Sequence, residues 1–305
     1  MRAGILEGVA LAVSCFSTHA ADSSSKPHGP EPMIRQLKAA ERSAGFQPTG
    51  NFERSDDRVA AYYRCYFTGK LEIPESYDRL GLREGTKDGC SLDENRYDVF
   101  FYPIEAVSSG DVPVTQALAA ATPERLATVV PHEDFHAQVR NLPGSIAEAA
   151  ATLAGFLTGA VVMQKSAPGE AELFLRKAEI VNRYYDRLRA VYRSTRDKAA
   201  ALEEKRRLFA SLERECASIQ PDPVSFNKCV SAPNNAGLAF DRTYTKYYPL
   251  LYRVFLACRQ DLRCTTEALV NAPKKRGEAE TARYFEESLR ALETRFPRPS
   301  LPQLR

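Results

Sequence analysis

The sequence predicts an α+β fold that is mainly α, with a small N-terminal β-sheet and a long helical hairpin. Two β-like runs, residues 59–73 and 97–102, come early in the chain, and from residue 115 onward apolar residues recur at helical spacing. The 305 residues are 44% hydrophobic and 27% charged, which is enough apolar material for a sizeable core. The 42 basic residues against 39 acidic ones give no basic excess, which argues against a nucleic-acid-binding protein.

The first twenty residues are typical of a secretory signal peptide. Arg2 precedes an apolar run from Gly8 to Phe16, and a stretch of small residues ends at Ala20, after which cleavage is expected. We therefore expect an exported protein that is periplasmic or associated with the cell envelope. The alternatives are a lipid anchor at Cys15 and a cytosolic N-terminus.

Beyond the signal segment, residues 21–55 are polar and rich in Ser, Pro, Lys and Glu. This composition predicts a linker with one short helix, because it offers little apolar surface to bury. Residues 56–296 are predicted to form a single domain, and residues 297–305 a tail.

Six cysteines remain when Cys15 is removed with the signal peptide, and they fall as sequence-local pairs: Cys65 and Cys90, Cys216 and Cys229, Cys258 and Cys264. In an oxidising compartment this spacing predicts three disulfides, one within each pair. The alternative is six reduced thiols in the core. No two cysteines have Cys-x-x-Cys spacing, which argues against a zinc ribbon.

Three helical sections are predicted after the sheet. Residues 123–163 form two helices around a break at 141–144, residues 172–216 a charged amphipathic helix or helical hairpin, and residues 235–291 the C-terminal helices. The second helix of the first section has the length of a membrane span. It contains Glu148 and many Ala and Thr residues of low transfer energy, so we expect a buried helix instead.

His132-Glu133-Asp134-Phe135-His136 matches the pattern His-Glu-x-x-His. Residues four apart lie on one face of a helix, so both imidazoles can bind one zinc ion while Glu133 lies beside the open coordination position. Zinc lowers the pKa of bound water towards neutrality, and a carboxylate can accept the proton, which is hydrolytic chemistry. The only other histidines precede residue 29. The alternative is an incidental histidine pair on a solvent-facing helix.

A catalytic zinc ion needs a third protein ligand, and no histidine remains to supply it. Glu148 follows His136 by twelve residues on the next predicted helix, where it can face the pair. The alternative is a capping box, in which Ser145 and Glu148 satisfy backbone N–H groups at the helix start. Asp134 points to the wrong side of its helix, and Glu170 is a weaker candidate.

The residues around the motif resemble the predicted bacterial aminopeptidases with a gluzincin-type His-Glu-x-x-His site. Residues 126–130, Leu-Ala-Thr-Val-Val, precede the motif, Gln138 follows it, and 147–152, Ala-Glu-Ala-Ala-Ala-Thr, occupy the second block of the family pattern. The resemblance implies a zincin-like helical metallopeptidase core with these roles: His132, His136 and Glu148 as zinc ligands, and Glu133 as general base.

A later part of the family pattern is present as Asn-Asn-Ala at 234–236, Thr-Tyr at 243–244 and then Pro249. Gluzincins commonly stabilise the oxyanion with a Tyr or His, which makes Tyr244 the candidate; the alternative is a core tyrosine. Thr152 and Asn235 are expected to support the ligands or to contact substrate. A helix cap is the alternative for the asparagines, favoured at Asn234.

These patterns predict zinc-dependent peptide hydrolysis, with one Zn²⁺ ion, a peptide substrate, no nucleic-acid partner and no transmembrane helix in the mature chain. The alternative is a non-catalytic envelope protein with a vestigial or structural metal site, which binds a partner through its long charged helices.

Overall fold

A three-stranded antiparallel sheet and ten α-helices make up the part of the chain that a computed structural model describes, residues 29–85, 90–107, 110–165, 169–223, 226 and 230–295. The predicted α+β class, mainly α, is confirmed. The predicted signal peptide and the tail at 297–305 lie outside the described residues.

The sheet has the strand order β2-β1-β3, with β1 at Tyr62–Gly69, β2 at Gly81–Glu84 and β3 at Tyr97–Ile104. Tyr66 pairs with Phe100 across β1 and β3, and both rings are buried against Phe240 from a C-terminal helix. Large aromatic side chains on one face of a sheet supply most of the apolar area that holds it on a helix. This contact joins the N-terminal strands to the helical part of the fold.

The helices follow in chain order: α1 Glu31–Ser43, α2 Gln116–Ala119, α3 Pro123–Gln138, α4 Gly144–Val162, α5 Gly169–Ser194, α6 Lys198–Cys216, α7 Asn235–Thr245, α8 Tyr248–Ala257, α9 Leu262–Val270 and α10 Glu278–Arg295. The charged section is a hairpin of α5 and α6, and its turn contains Asp197, which caps α6 by accepting hydrogen bonds from Ala199 N and Ala200 N. The C-terminal section is divided before Pro249, which lies in the first turn of α8.

Residues 31–55 correct the expectation of a linker from 21 to 55. Helix α1 contacts both α3 and α4; Leu37 on the helix is buried, and so are Asn51 and Phe52 in the segment after it. The sequence predicted one short helix in this range, but the polar composition hid its packing, because its buried apolar face consists of Ile34 and Leu37 alone. The described part of this range therefore belongs to the folded body.

Two of the three predicted disulfides are formed. Cys65 on β1 is bonded to Cys90, and Cys258 after α8 is bonded to Cys264 on α9. Cys216 is buried at the end of α6, and its predicted partner Cys229 lies outside the described residues. The pairing of Cys216 with Cys229 stays a prediction.

Helix α4 passes through the middle of the protein. Among the described helices it alone is long and apolar enough to cross a membrane, and 78% of its most apolar window is buried inside the protein. Its Gly155 and Gly159 lie against the backbone of α3: a Cβ added at either position would be 2.7 Å from a carbonyl oxygen, of Thr128 or of Ala127. The spacing Gly-x-x-x-Gly thus brings two helix backbones together within the protein core.

We expect Gly155→Ala to destabilise the protein by about 1–3 kcal/mol, because the carbonyl of Thr128 belongs to the α3 backbone and cannot move without shifting the helix. Urea denaturation measures the change. Gly144→Ala at the start of α4 is the matched control, since its added Cβ meets nothing within 4 Å. Equal stability of the two variants would contradict the proposed close approach of α3 and α4.

Candidate metal centre

Helix α3 presents the two motif histidines on one face. Thr122 caps the helix by accepting a hydrogen bond from Arg125 N at 3.2 Å, and Pro123 fills its first position. The helix continues through His132 and His136, which stand one turn apart with 3.1 Å between their Nε2 atoms. Helical i, i+4 spacing therefore brings both imidazoles to one point, as the motif predicts.

Glu148 completes a three-membered cluster with the histidines. The chain turns between α3 and α4, and Glu148 Oε2 lies 3.4 Å from His132 Nε2 and 3.3 Å from His136 Nε2. A tetrahedral zinc ion with bonds of about 2.0–2.1 Å separates its ligand atoms by about 3.3–3.4 Å, so the three atoms are spaced as one face of such a site. Oε2 of Glu148 is buried and makes no hydrogen bond within the described residues. The cluster could hold one metal ion.

The capping-box alternative for Glu148 is wrong. Helix α4 begins at Gly144 after Pro143, and no side chain caps it. Ser145 therefore lies inside the first turn, and the Glu148 side chain is directed to the histidines rather than to the helix start.

Tyr77 holds the other oxygen of Glu148. It lies in a short 3₁₀ turn, Tyr77–Arg79, between β1 and β2, and its hydroxyl donates a hydrogen bond to Glu148 Oε1 at 2.9 Å. Tyr77 N donates to Thr243 Oγ1 on α7 at 2.8 Å, which fixes the turn. Outer partners of this kind orient a metal ligand. Sequence reasoning missed Tyr77, because it is 71 residues from Glu148 and belongs to no motif.

The pKa values of the three cluster residues are shifted from their usual ranges. Burial favours the neutral form of Glu148, but the facing imidazoles outweigh burial and hold the pKa of Glu148 well below its usual range. Burial acts to lower the pKa of His136 as well, but the Glu148 carboxylate dominates and raises the pKa to about 9. Burial lowers the pKa of His132. Glu148 thus places a negative charge where a cation would be held.

Asp134 lies on the opposite face of α3 from the histidines. It is 1% exposed and binds α1 and the segment after it, with Lys38 Nζ at 2.5 Å and Asn51 Nδ2 at 3.0 Å, and it also accepts a hydrogen bond from Thr49. One turn further on, Gln138 exchanges two hydrogen bonds of 3.0 Å with the backbone of Gln47. Both contacts hold the back of the motif helix against the N-terminal segment.

The buried Glu41 carboxyl on α1 makes the free energy of unfolding depend on pH. Burial and, after it, the neighbouring Asp134 carboxylate together raise the pKa of Glu41 to about 9. Between pH about 4.5 and 9 the folded chain keeps a proton that the unfolded chain loses, so this group lowers stability as pH rises. As the pH rises from 5 to 8, we expect the free energy of unfolding of Glu41→Gln to increase relative to that of wild type by about 1–3 kcal/mol.

Urea denaturation of both proteins at the two pH values measures this difference. Glu31→Gln, an exposed position on the same helix, is the control and should follow wild type at both pH values. Parallel pH profiles of wild type and Glu41→Gln would show that the Glu41 carboxyl is not perturbed in the folded state.

Glu133, Tyr244 and Thr152 surround the cluster. Glu133 and Tyr244 line two adjoining spaces that also share His132: an outer cleft of about 610 Å³, which Arg64 and Arg140 also line, and an inner cavity of about 650 Å³. The Tyr244 ring centroid is 6.2 Å from that of His132. Burial, followed by the charge of Glu148, raises the pKa of Tyr244, which keeps its hydroxyl a hydrogen-bond donor. Thr152 lines the inner cavity one turn after Glu148.

Asn235 does not belong to this site, which corrects its assignment as a residue that supports the ligands or contacts substrate. Its side chain is buried; it donates to the backbone oxygens of Lys70 at 3.0 Å and Glu72 at 2.8 Å and accepts from Tyr192 at 2.8 Å. It joins α7 to the end of β1 and to α5. Asn234 is the N-cap of α7, as expected, and accepts from Gly237 N at 3.0 Å.

The fold and the cluster define a mainly helical α+β protein with a His, His, Glu site, in which the histidines are partly buried and the glutamate is buried, and a second glutamate beside it. A family model described as "Putative aminopeptidase" matches residues 86–283, and the chain belongs to this family. No curated protein and no solved structure matches the chain. The matched range contains α3, α4 and α7 but not Tyr77 or α1.

Proposed function

We propose that the protein is a zinc-dependent peptide hydrolase, an aminopeptidase with one Zn²⁺ held by His132, His136 and Glu148. The observation that carries this proposal is the triangle of ligand atoms with edges of 3.1, 3.3 and 3.4 Å, which suits one face of a tetrahedral zinc site. Membership of the aminopeptidase family supports peptides as the substrate class.

When bound, zinc would polarise the scissile carbonyl and would lower the pKa of a water molecule, so that this water could lose a proton and act as the nucleophile. Glu133 lines both the cleft and the inner cavity beside His132, so its carboxylate accepts the proton of the attacking water and passes it to the leaving amine. The Tyr244 hydroxyl donates a hydrogen bond to the oxyanion. Tyr77 keeps Glu148 in place through its hydrogen bond of 2.9 Å.

Elemental analysis and a peptide-library assay of the purified full chain test the proposal together. We expect one zinc ion per chain, and hydrolysis that a zinc chelator abolishes and added zinc restores. Protein that folds without binding zinc, or cleavage that resists chelation, would overturn it.

The charged hairpin gives little support to the alternative of a non-catalytic protein that binds a partner through these helices. Several exposed charges on α6 neutralise one another along the helix: Glu203 bonds Arg206 and lies 3.0 Å from Arg207. Such pairs suit a solvated helix face. The two disulfides support the further proposal that the protein is exported to the periplasm or envelope, where thiols are oxidised.

A further inference from the structure

The inner cavity begins at the metal cluster and extends away from the outer cleft. His132, Glu133 and Tyr244 are part of the wall that it shares with the cleft, together with Ile104 and Ala106. Its volume of about 650 Å³ lies within the usual range for ligand pockets. A substrate bond placed at Glu133 therefore has this cavity directly beside it.

Aromatic side chains from four parts of the chain line the cavity: Phe156 of α4, Phe174 of α5, Phe240 of α7, and Phe226 from the connection between α6 and α7. The first two rings have centroids 5.3 Å apart, and Phe226 lies within 5.7 Å of both. Such walls favour planar and apolar groups, since offset and edge-on ring contacts add to the gain from burial.

The ionic side chains of the cavity, apart from the shared wall, are paired with one another. Lys177 and Asp241, each 5% exposed, form an ion pair of 2.9 Å in its depth. Arg125 holds Glu105 at 2.9 Å closer to the surface. A charged substrate side chain would have to displace one of these pairs or remain unpaired in a buried space, and both are costly.

We infer that the inner cavity is the specificity pocket, and that it takes a large apolar or aromatic side chain of the residue beside the cleaved bond. This inference rests on the proposed function, because a cleaved bond requires a peptide hydrolase. Occupancy of the cavity can nevertheless be measured without hydrolysis. Burying a phenyl ring in the cavity, rather than a methyl group, strengthens binding by about 10- to 100-fold.

Calorimetry with the zinc-supplemented full chain tests the inference, using L-phenylalaninol and L-alaninol, which have no bond to hydrolyse. We expect L-phenylalaninol to bind at least about tenfold more tightly. Ala121→Trp should remove this advantage, because Ala121 is half-buried and lines the cavity, so an indole there occupies its space. Ala119→Trp is the matched control on the same segment, exposed and not among the lining residues, and should stay within about twofold of wild type.

Equal binding of the two amino alcohols by wild type, or the same loss in both tryptophan variants, overturns the inference whether or not peptides are cleaved. Hydrolysis by the same preparations is scored separately on peptides with Phe, Ala, Lys or Glu beside the cleaved bond. Absence of zinc-dependent cleavage with selective L-phenylalaninol binding defeats the proposed function alone. Cleavage with a preference for Lys or Glu defeats the inference alone.

Discussion

Glu133→Gln is expected to reduce peptide hydrolysis by about 10²- to 10⁴-fold while the zinc content stays at the wild-type level. The amide has nearly the shape of the carboxylate but cannot accept a proton, and the ligand set His132, His136 and Glu148 is left complete. The loss should appear in kcat, since proton transfer occurs in the chemical step rather than in substrate binding. Steady-state kinetics and elemental analysis of the same preparation provide the two measurements.

Glu124→Gln is the matched control for this substitution. It makes the same chemical change on the same helix, at a residue that lines neither the cleft nor the inner cavity and whose ion pair with Lys165 is 3.4 Å long. We expect it to retain wild-type kcat. Wild-type turnover in Glu133→Gln would remove Glu133 as the base, and loss of zinc from that variant would assign it to the ligand set instead.

The parts of the site that depend on helical periodicity could be predicted from the sequence. Residues four apart on α3 meet because a turn contains 3.6 residues, so His132 and His136 needed no knowledge of the fold. Glu148 follows one short turn later, and its position on the next helix limited where it could point. Asp134 is rotated about 200° from each histidine, which explains why it faces α1 instead.

The same geometry explains the error at Asn235. Asn235 and Tyr244 are nine residues apart on α7, which is about two and a half turns and therefore about 180° of rotation. If Tyr244 faces His132, Asn235 must face the opposite way, towards Lys70 and Glu72. The family pattern contains both residues in one segment. Their different positions around the helix axis place them in different surroundings.

The contacts that sequence reasoning missed are those between distant segments. Tyr77 reaches Glu148 because the β1–β2 connection is held against α7, and Lys38 reaches Asp134 because α1 packs across α3. Neither contact leaves a local spacing in the chain. The sequence moreover predicted a short helix within a linker but not the packing of α1 on the body, since a helix with few apolar residues resembles a solvated segment when its partner surface is unknown.

His136→Ala is expected to remove the zinc ion and, with it, all hydrolysis. Two ligands remain, and Glu148 keeps a buried oxygen that lacks a hydrogen bond among the described residues and loses one of its two facing imidazoles. Competition with a chelator of known affinity should show zinc binding weakened by more than about 100-fold, beyond the usual effect of outer partners. Added zinc should raise the melting temperature of wild type but not of this variant, because a ligand that binds the folded state stabilises it.

Tyr77→Phe separates ligation from orientation in the same experiment. It removes only the hydroxyl that donates to Glu148 Oε1 at 2.9 Å, so zinc affinity should fall by about 10- to 100-fold while zinc still stabilises the fold. The expected order of affinity is wild type, Tyr77→Phe, His136→Ala. Stoichiometric zinc in His136→Ala would show that the ligand set is wrong. Wild-type affinity in Tyr77→Phe would show that Glu148 is held by packing on α4 alone, since the hydrogen bond would then contribute nothing to metal binding.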